Sequence, residues 1–139
     1  MQIVKNALFR NIYEVENFEK EFLETTHEKF YFTKPFPRYQ KWLIGCLTIL
    51  DEYNKKAIQF AKFEQLKNTD PNLFSIRYPK SKLNPRVLYG FFDNNKIILL
   101  AAFKEKSKKD YSKNLIIAQN RLNSIKELKG DISWIQQIG

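Results

Sequence analysis

The sequence predicts one α+β domain, and three observations carry that reading. Apolar residues recur at helical spacing over 15–28 and 39–53. Strand-like runs separated by turns fill 73–103, and a last helical face covers 114–128. The expected order is therefore β, α, α, a three-stranded antiparallel meander, then α. A chain of 139 residues fits a single domain over 1–139. Its 12 Phe, 7 Tyr and 2 Trp promise an aromatic core.

Residues 2–13 hold the β-formers Ile3, Val4, Phe9, Ile12 and Tyr13, which read as a strand or hairpin. Val15, Phe18 and Phe22 follow at spacings of three and four, with Glu14, Glu16 and Glu19 near the start, so a helix is expected over 15–28. Pro35 and Pro37 forbid its continuation. Leu43, Cys46, Leu47, Leu50 and Tyr53 then make one face of a helix over 39–53. Cys46 lies inside that stripe and reads as a small core residue, not a reactive thiol.

Residues 57–66 read equally as a short helix or an extended arm. Residues 68–72 are a turn around Asp70 and Pro71. Alternation predicts strands over 73–78, 86–92 and 96–103, with a basic loop at 79–85 and a tight turn at 93–95. Leu115, Ala118, Leu122 and Ile125 share a face of the last helix, and Gly130 is placed to stop it. The tail carries Ile132, Trp134, Ile135 and Ile138, which would dock on the body or serve a partner.

Charge is distributed unevenly. Residues 77–113 carry ten Lys or Arg against three acids, which is seven of the nine net positive charges. A basic surface on a β-hairpin suits phosphodiesters, and the pI near 9.6 draws the chain to polyanions. One cysteine excludes an internal disulfide and any zinc site built on several thiolates. The first 20 residues lack the apolar core of a signal peptide, and no apolar run approaches membrane-spanning length. A cytoplasmic protein without membrane contact is expected.

The chemistry available is restricted. The single histidine, His27, stands beside Glu24 and Glu28 and reads as a solvated surface group, since a metal site needs three or four ligands. One His also excludes a ribonuclease that uses two. Gly45, Gly90, Gly130 and Gly139 form no phosphate loop. Cleavage of RNA by in-line attack of a ribose 2′-OH needs a base, cations for the phosphorane and an acid for the leaving group. Lys, Arg and Tyr remain for those roles. Like charges in proximity ease the loss of a lysine proton, and Lys80 and Lys82 stand near Arg77 and Arg86 in sequence. Arg77 and Arg86 flank the 79–85 loop from two strands, so both can converge on one phosphate. Tyr111 is placed to stack on a base or donate a proton.

An ordered series of motifs resembles the RelE/HigB toxin superfamily, nearest to its phage-derived, HigB-like branch. The series is Leu73-Phe74-Ser75-Ile76-Arg77, Pro85-Arg86-Val87-Leu88-Tyr89, the run 96–103 (KIILLAAF), and 104–111 (KEKSKKDY). The match covers about residues 63 to 125. With the 39–53 helix, which sits where the family's second helix belongs, it spans about 39–128. The resemblance implies two N-terminal helices and a C-terminal helix packed on a small antiparallel sheet. It implies a type II toxin–antitoxin toxin, a ribosome-dependent mRNA endoribonuclease working by metal-free transesterification without a cofactor.

In that scheme Arg77, Lys80, Lys82, Arg86 and Tyr111 are catalytic. Lys104, Lys106, Lys108 and Lys109 grip RNA phosphate, and Asp110, which with Tyr111 resembles the family's acidic–aromatic pair, joins them in binding RNA. The implied partners are the ribosome, mRNA in its A site and a cognate antitoxin of helix-turn-helix type. The chain departs from the family pattern at Ala101-Ala102, where many members have His, and at Glu105, which interrupts a lysine pair. The loop after Arg77 also lacks a His found in some members. The alternatives are a non-catalytic toxin of the RelE/ParE fold and a basic RNA-binding module of a mobile element.

Overall fold

The computed structural model describes residues 2–29, 35–127 and, for the backbone, 135–137. The expected N-terminal hairpin forms from β1 (Ile3–Lys5) and β2 (Ile12–Val15), paired antiparallel with Ile3 opposite Val15. Asn6 closes its loop. Its backbone N–H donates to the Ile12 carbonyl at 2.9 Å, and its side-chain oxygen accepts from the Leu8 N–H at 2.8 Å. This pairing claims Glu14 and Val15, so α1 runs only over Phe18–Thr26. Sequence periodicity had placed both residues at or near the start of the helix. The β-ladder wins there because a buried strand satisfies the backbone of Val15 as well as its side chain. His27 ends α1 in the left-handed region at φ 63°, donating its N–H to the Leu23 carbonyl.

Helix α2 (Arg38–Tyr53) starts after Pro37, as the prolines predict. Its first N–H groups are capped from a distance: Glu28 accepts from the Tyr39 and Gln40 N–H groups at 3.1 and 2.8 Å. Leu43, Cys46, Leu47 and Leu50 are buried as expected, whereas Tyr53 is 40% exposed and lies beyond the packed stripe. The ambiguous arm resolves into both of its readings, a 3₁₀ turn over Asn54–Gln59 and then β3 (Phe63–Gln65).

Strands β4 (Phe74–Arg77), β5 (Pro85–Phe92) and β6 (Lys96–Lys104) form the predicted meander. Asp93, Asn94 and Asn95 turn the last hairpin with three consecutive positive φ angles, a conformation that Asn and Asp tolerate best among residues with a side chain. Helix α3 (Lys108–Glu127) follows, and β7 (Ile135–Gln137) pairs parallel to β1. That pairing docks part of the tail; Gly130, Ile132, Trp134 and Ile138 lie outside the described residues.

The architecture is α+β, with a sheet wider and more mixed than the small antiparallel one expected. Its order is β3-β4-β5-β6-β2-β1-β7, seven strands, and β2 joins β6 in parallel with Ile12 beside Ile97. The reason lies in β6, whose residues Ile97 to Phe103 are buried on both faces. A strand of that kind is central, and its backbone needs partners on both edges. Among the described residues, the β2 side of β6 has no strand neighbour past Leu99. There Glu21 of α1 accepts the Ala102 N–H at 3.3 Å, and Arg121 of α3 donates to the Leu100 carbonyl at 2.6 Å. Leu100 is the extra residue of a β-bulge, since Leu88 faces Ala101 while Tyr89 faces Leu99. Arg121 also grips Glu21 with two bonds of 3.0 and 2.6 Å, so one polar bracket joins α1, the bulge and α3.

The two sheet faces are dressed differently. Helix α3 covers the face of Arg86 and Gly90. A Cβ on Gly90 would lie 2.8 Å from the Leu122 side chain, so the helix sits as close as glycine permits. On the other side Trp42 of α2 stacks on Tyr78 with ring centres 5.3 Å apart. No described helix is long and apolar enough to cross a membrane.

Candidate functional site

Strand register makes the central feature of the basic face. Arg77 on β4 and Arg86 on β5 are direct cross-strand partners, so both side chains leave the same side of the sheet. Arg86 is buried and Arg77 half-buried. In each, the buried guanidinium Nε lacks a hydrogen-bond acceptor among the described residues. Like charges facing across a ladder are unfavourable, and a buried charged donor without an acceptor more so. The pair is partly offset by Glu105, which bonds Arg86 Nη2 at 2.8 Å.

The start of α3 closes the site. Ser107 sits just before the helix, and its hydroxyl accepts the Asp110 N–H at 3.2 Å. That cap fixes the first turn, from which Tyr111 lays its ring 4.7 Å from the Arg86 guanidinium carbon. Glu64, Arg77, Arg86, Glu105, Lys108 and Tyr111 together line an open cavity of about 260 Å³.

Four residues predicted for the site, Arg77, Arg86, Lys108 and Tyr111, thus meet in space. Lys80 and Lys82 stand exposed in the loop between β4 and β5 and do not line the cavity. Lys106 and Lys109 are exposed just before and within the first turn of α3, and Lys104 is half-buried at the end of β6. They form a charged apron beside the cavity. Asp110 lies in the first turn of α3, where its charge suits the helix dipole. Ala101 and Ala102 are buried in β6, away from solvent. His27 is exposed, and among the described residues no three His, Cys, Asp or Glu side chains gather to hold a metal.

Two acids of the cavity were not foreseen as site residues. Glu105 is two positions beyond Phe103, the register partner of Arg86, so continued alternation carries it to the same side. That signal was present in the sequence. Glu64 sits on β3, opposite Ser75, and depended on a strand whose reading was open.

Cys46 is buried, and burial pushes its thiol up to about 11, which keeps it protonated and inert. Comparison with protein-family models, with curated proteins and with solved structures finds no match to this chain.

Proposed function

We propose that the chain is an endoribonuclease of RelE/HigB type, a toxin acting in the cytoplasm on mRNA in the ribosomal A site and restrained by an antitoxin that covers its basic face. The observation that carries the reading is the cross-strand pair Arg77 and Arg86, with two buried guanidinium N–H groups awaiting an acceptor. A phosphodiester supplies such an acceptor, and a bridging phosphate offsets the repulsion between the two cations.

In this scheme the ribose 2′-oxygen attacks phosphorus and the bond to the 5′-oxygen breaks. The products are a 2′,3′-cyclic phosphate and a 5′-hydroxyl. Glu64 is exposed on the rim and takes the 2′-OH proton, a role its place in the cavity suits better than the loop positions of Lys80 and Lys82. Arg77 and Arg86 meet the charge that builds on the phosphorane. The Tyr111 hydroxyl or the Lys108 ammonium protonates the leaving oxygen.

One observation favours a second reading, a non-catalytic RNA-binding module or toxin of the same fold. Glu105 already neutralises Arg86, which lowers the field available to a transition state.

The test is cleavage of a defined message on programmed ribosomes, and of the same RNA free in solution. The expected products carry 2′,3′-cyclic phosphate ends. A single 2′-deoxy substitution at the cleaved nucleotide blocks the cut, and Tyr111→Phe or Arg77→Gln slows it about 100-fold or more. Intact RNA in both settings, with binding retained, would leave the module reading in place and remove the enzyme.

A further inference from the structure

A second cavity, of about 410 Å³, opens on the other side of the β3 edge from the arginine site. That volume lies in the range of small-ligand sites. Phe74 and Phe91 form its aromatic wall, in edge contact at 5.2 Å. Phe91 is half-buried, and Lys55 holds its ammonium over that ring, 5.7 Å from its centre, where an incoming base would take its place. Lys126 from the last turn of α3 adds a second positive charge, and the amides of Gln65 and Asn72 with the exposed side chain of Ile58 complete the lining. No carboxylate lines the cavity among the described residues.

An aromatic ring on the cavity wall, amides that both donate and accept, and flanking cations are the three parts of single-stranded RNA recognition. The ring stacks a base, the amides read its edge and the lysines hold phosphate. An apolar peptide would leave both lysines and both amides without partners. An acidic peptide would satisfy the lysines but make no use of the ring face.

The geometry of β3 connects this cavity with the first. Glu64 lines the arginine cavity and the next residue, Gln65, lines this one. Successive strand residues point to opposite faces, and β3 is the edge of the sheet. The two cavities therefore share β3 through the adjacent residues Glu64 and Gln65.

The geometry points to a nucleotide subsite: the cavity takes one base of a single-stranded RNA on Phe91, with its phosphate between Lys55 and Lys126, while the same strand crosses β3 to reach Arg77 and Arg86. This rests on the reading of the chain as a protein that acts on RNA. It adds a contact away from the scissile phosphate that sets which sequence is held.

The test uses a labelled single-stranded RNA of about ten nucleotides carrying 2-aminopurine, with binding followed by anisotropy and stacking by quenching. The native chain quenches the probe. Phe91→Leu keeps the apolar bulk but loses the quenching and about tenfold in affinity, and Phe91→Tyr restores both. Lys126→Gln weakens binding several-fold and lowers its salt dependence. Unchanged affinity and quenching in Phe91→Leu and Lys126→Gln, with binding still weakened by Arg77→Gln, would overturn the subsite alone. No RNA binding by the native chain would overturn both the subsite and the reading beneath it. If Phe91→Leu fails to fold by circular dichroism, Lys126→Gln still decides, with unchanged affinity and salt dependence overturning the subsite.

Discussion

Glu14 shows how one buried group sets a pH response. Its carboxyl is enclosed in β2, with the Asn6 side-chain amide donating at 3.3 Å. Burial pushes its pKa well above the carboxylate range, and the hydrogen bond and charge of Glu19 push the same way against a smaller lowering by Asn6. Its folded-state pKa is therefore above the unfolded value of ~4.3. The stability it contributes is full below that pH and is lost as pH rises, at most by ~1.4 kcal/mol per pH unit. Glu14→Gln is expected to raise stability at neutral pH and to flatten the decline above about pH 5. Urea unfolding across pH checks this, and parallel curves for the two proteins would locate the titration elsewhere. At this scale the sequence was legible where alternation is clean, as for Arg77 and Arg86. It misled at Glu14, which helical spacing made a surface acid beside a helix start. The spacing of residues 14–22 suits either element, and only the partner strand β1 decides between them.

Among elements, the bracket of Glu21, Arg121 and Leu100 stands out. It replaces a missing strand along half of one β6 edge and ties two helices that are far apart in sequence. The Arg121–Glu21 pair is only partly shielded, with side-chain exposures of 14% and 22%. Removing one partner still strands a carboxylate and a bulge carbonyl. Arg121→Met is therefore expected to cost about 2–3 kcal/mol. The double variant with Glu21→Gln should cost less than the sum of the singles, as read by chemical denaturation. Equal and additive losses would mean that the bracket does not act as a unit. The 39–53 helix and the β5–β6 hairpin were readable from periodicity and turn residues, whereas α3 begins at Lys108, before the expected Asn114, because the Ser107 hydroxyl accepts the Asp110 N–H. The parallel docking of β2 on β6 was not, because burial on both faces says that β6 has neighbours without naming them. Arg121 gave no signal, since a lone Arg on a polar helix looks like any solvated charge.

Over the whole molecule, seven of the nine net positive charges fall within residues 77–113. In the proposed reading, lysines of the apron act on RNA through phosphate alone and carry no sequence information. Lys106→Gln and Lys109→Gln are each expected to weaken binding to unrelated RNAs alike and to reduce the slope of log affinity against log salt by about 0.7. Tyr111→Phe should leave the slope unchanged. A salt titration of filter binding or anisotropy reads both. A slope unmoved by the lysine changes would place the RNA elsewhere on the surface. Composition and clustering made this face visible before any fold was known. The pocket itself was not visible, because it also needs Glu64, from a strand whose reading was open, and the pairing of Glu105 with Arg86.

The parallel pairing of Ile12 with Ile97 has a consequence for the order of assembly. The two positions are about 85 residues apart in the chain, so the loop they close is long and slow to form. The residues of the arginine cavity all come from 64–111, joined by short antiparallel connections. The working surface can therefore take shape while the opposite rim of the sheet is still open. During synthesis the apolar hairpin of Ile3, Ile12 and Val15 must wait for β6 to emerge. For that interval the unfinished rim, not the side of the arginine cavity, is the part of the chain most exposed to unwanted association.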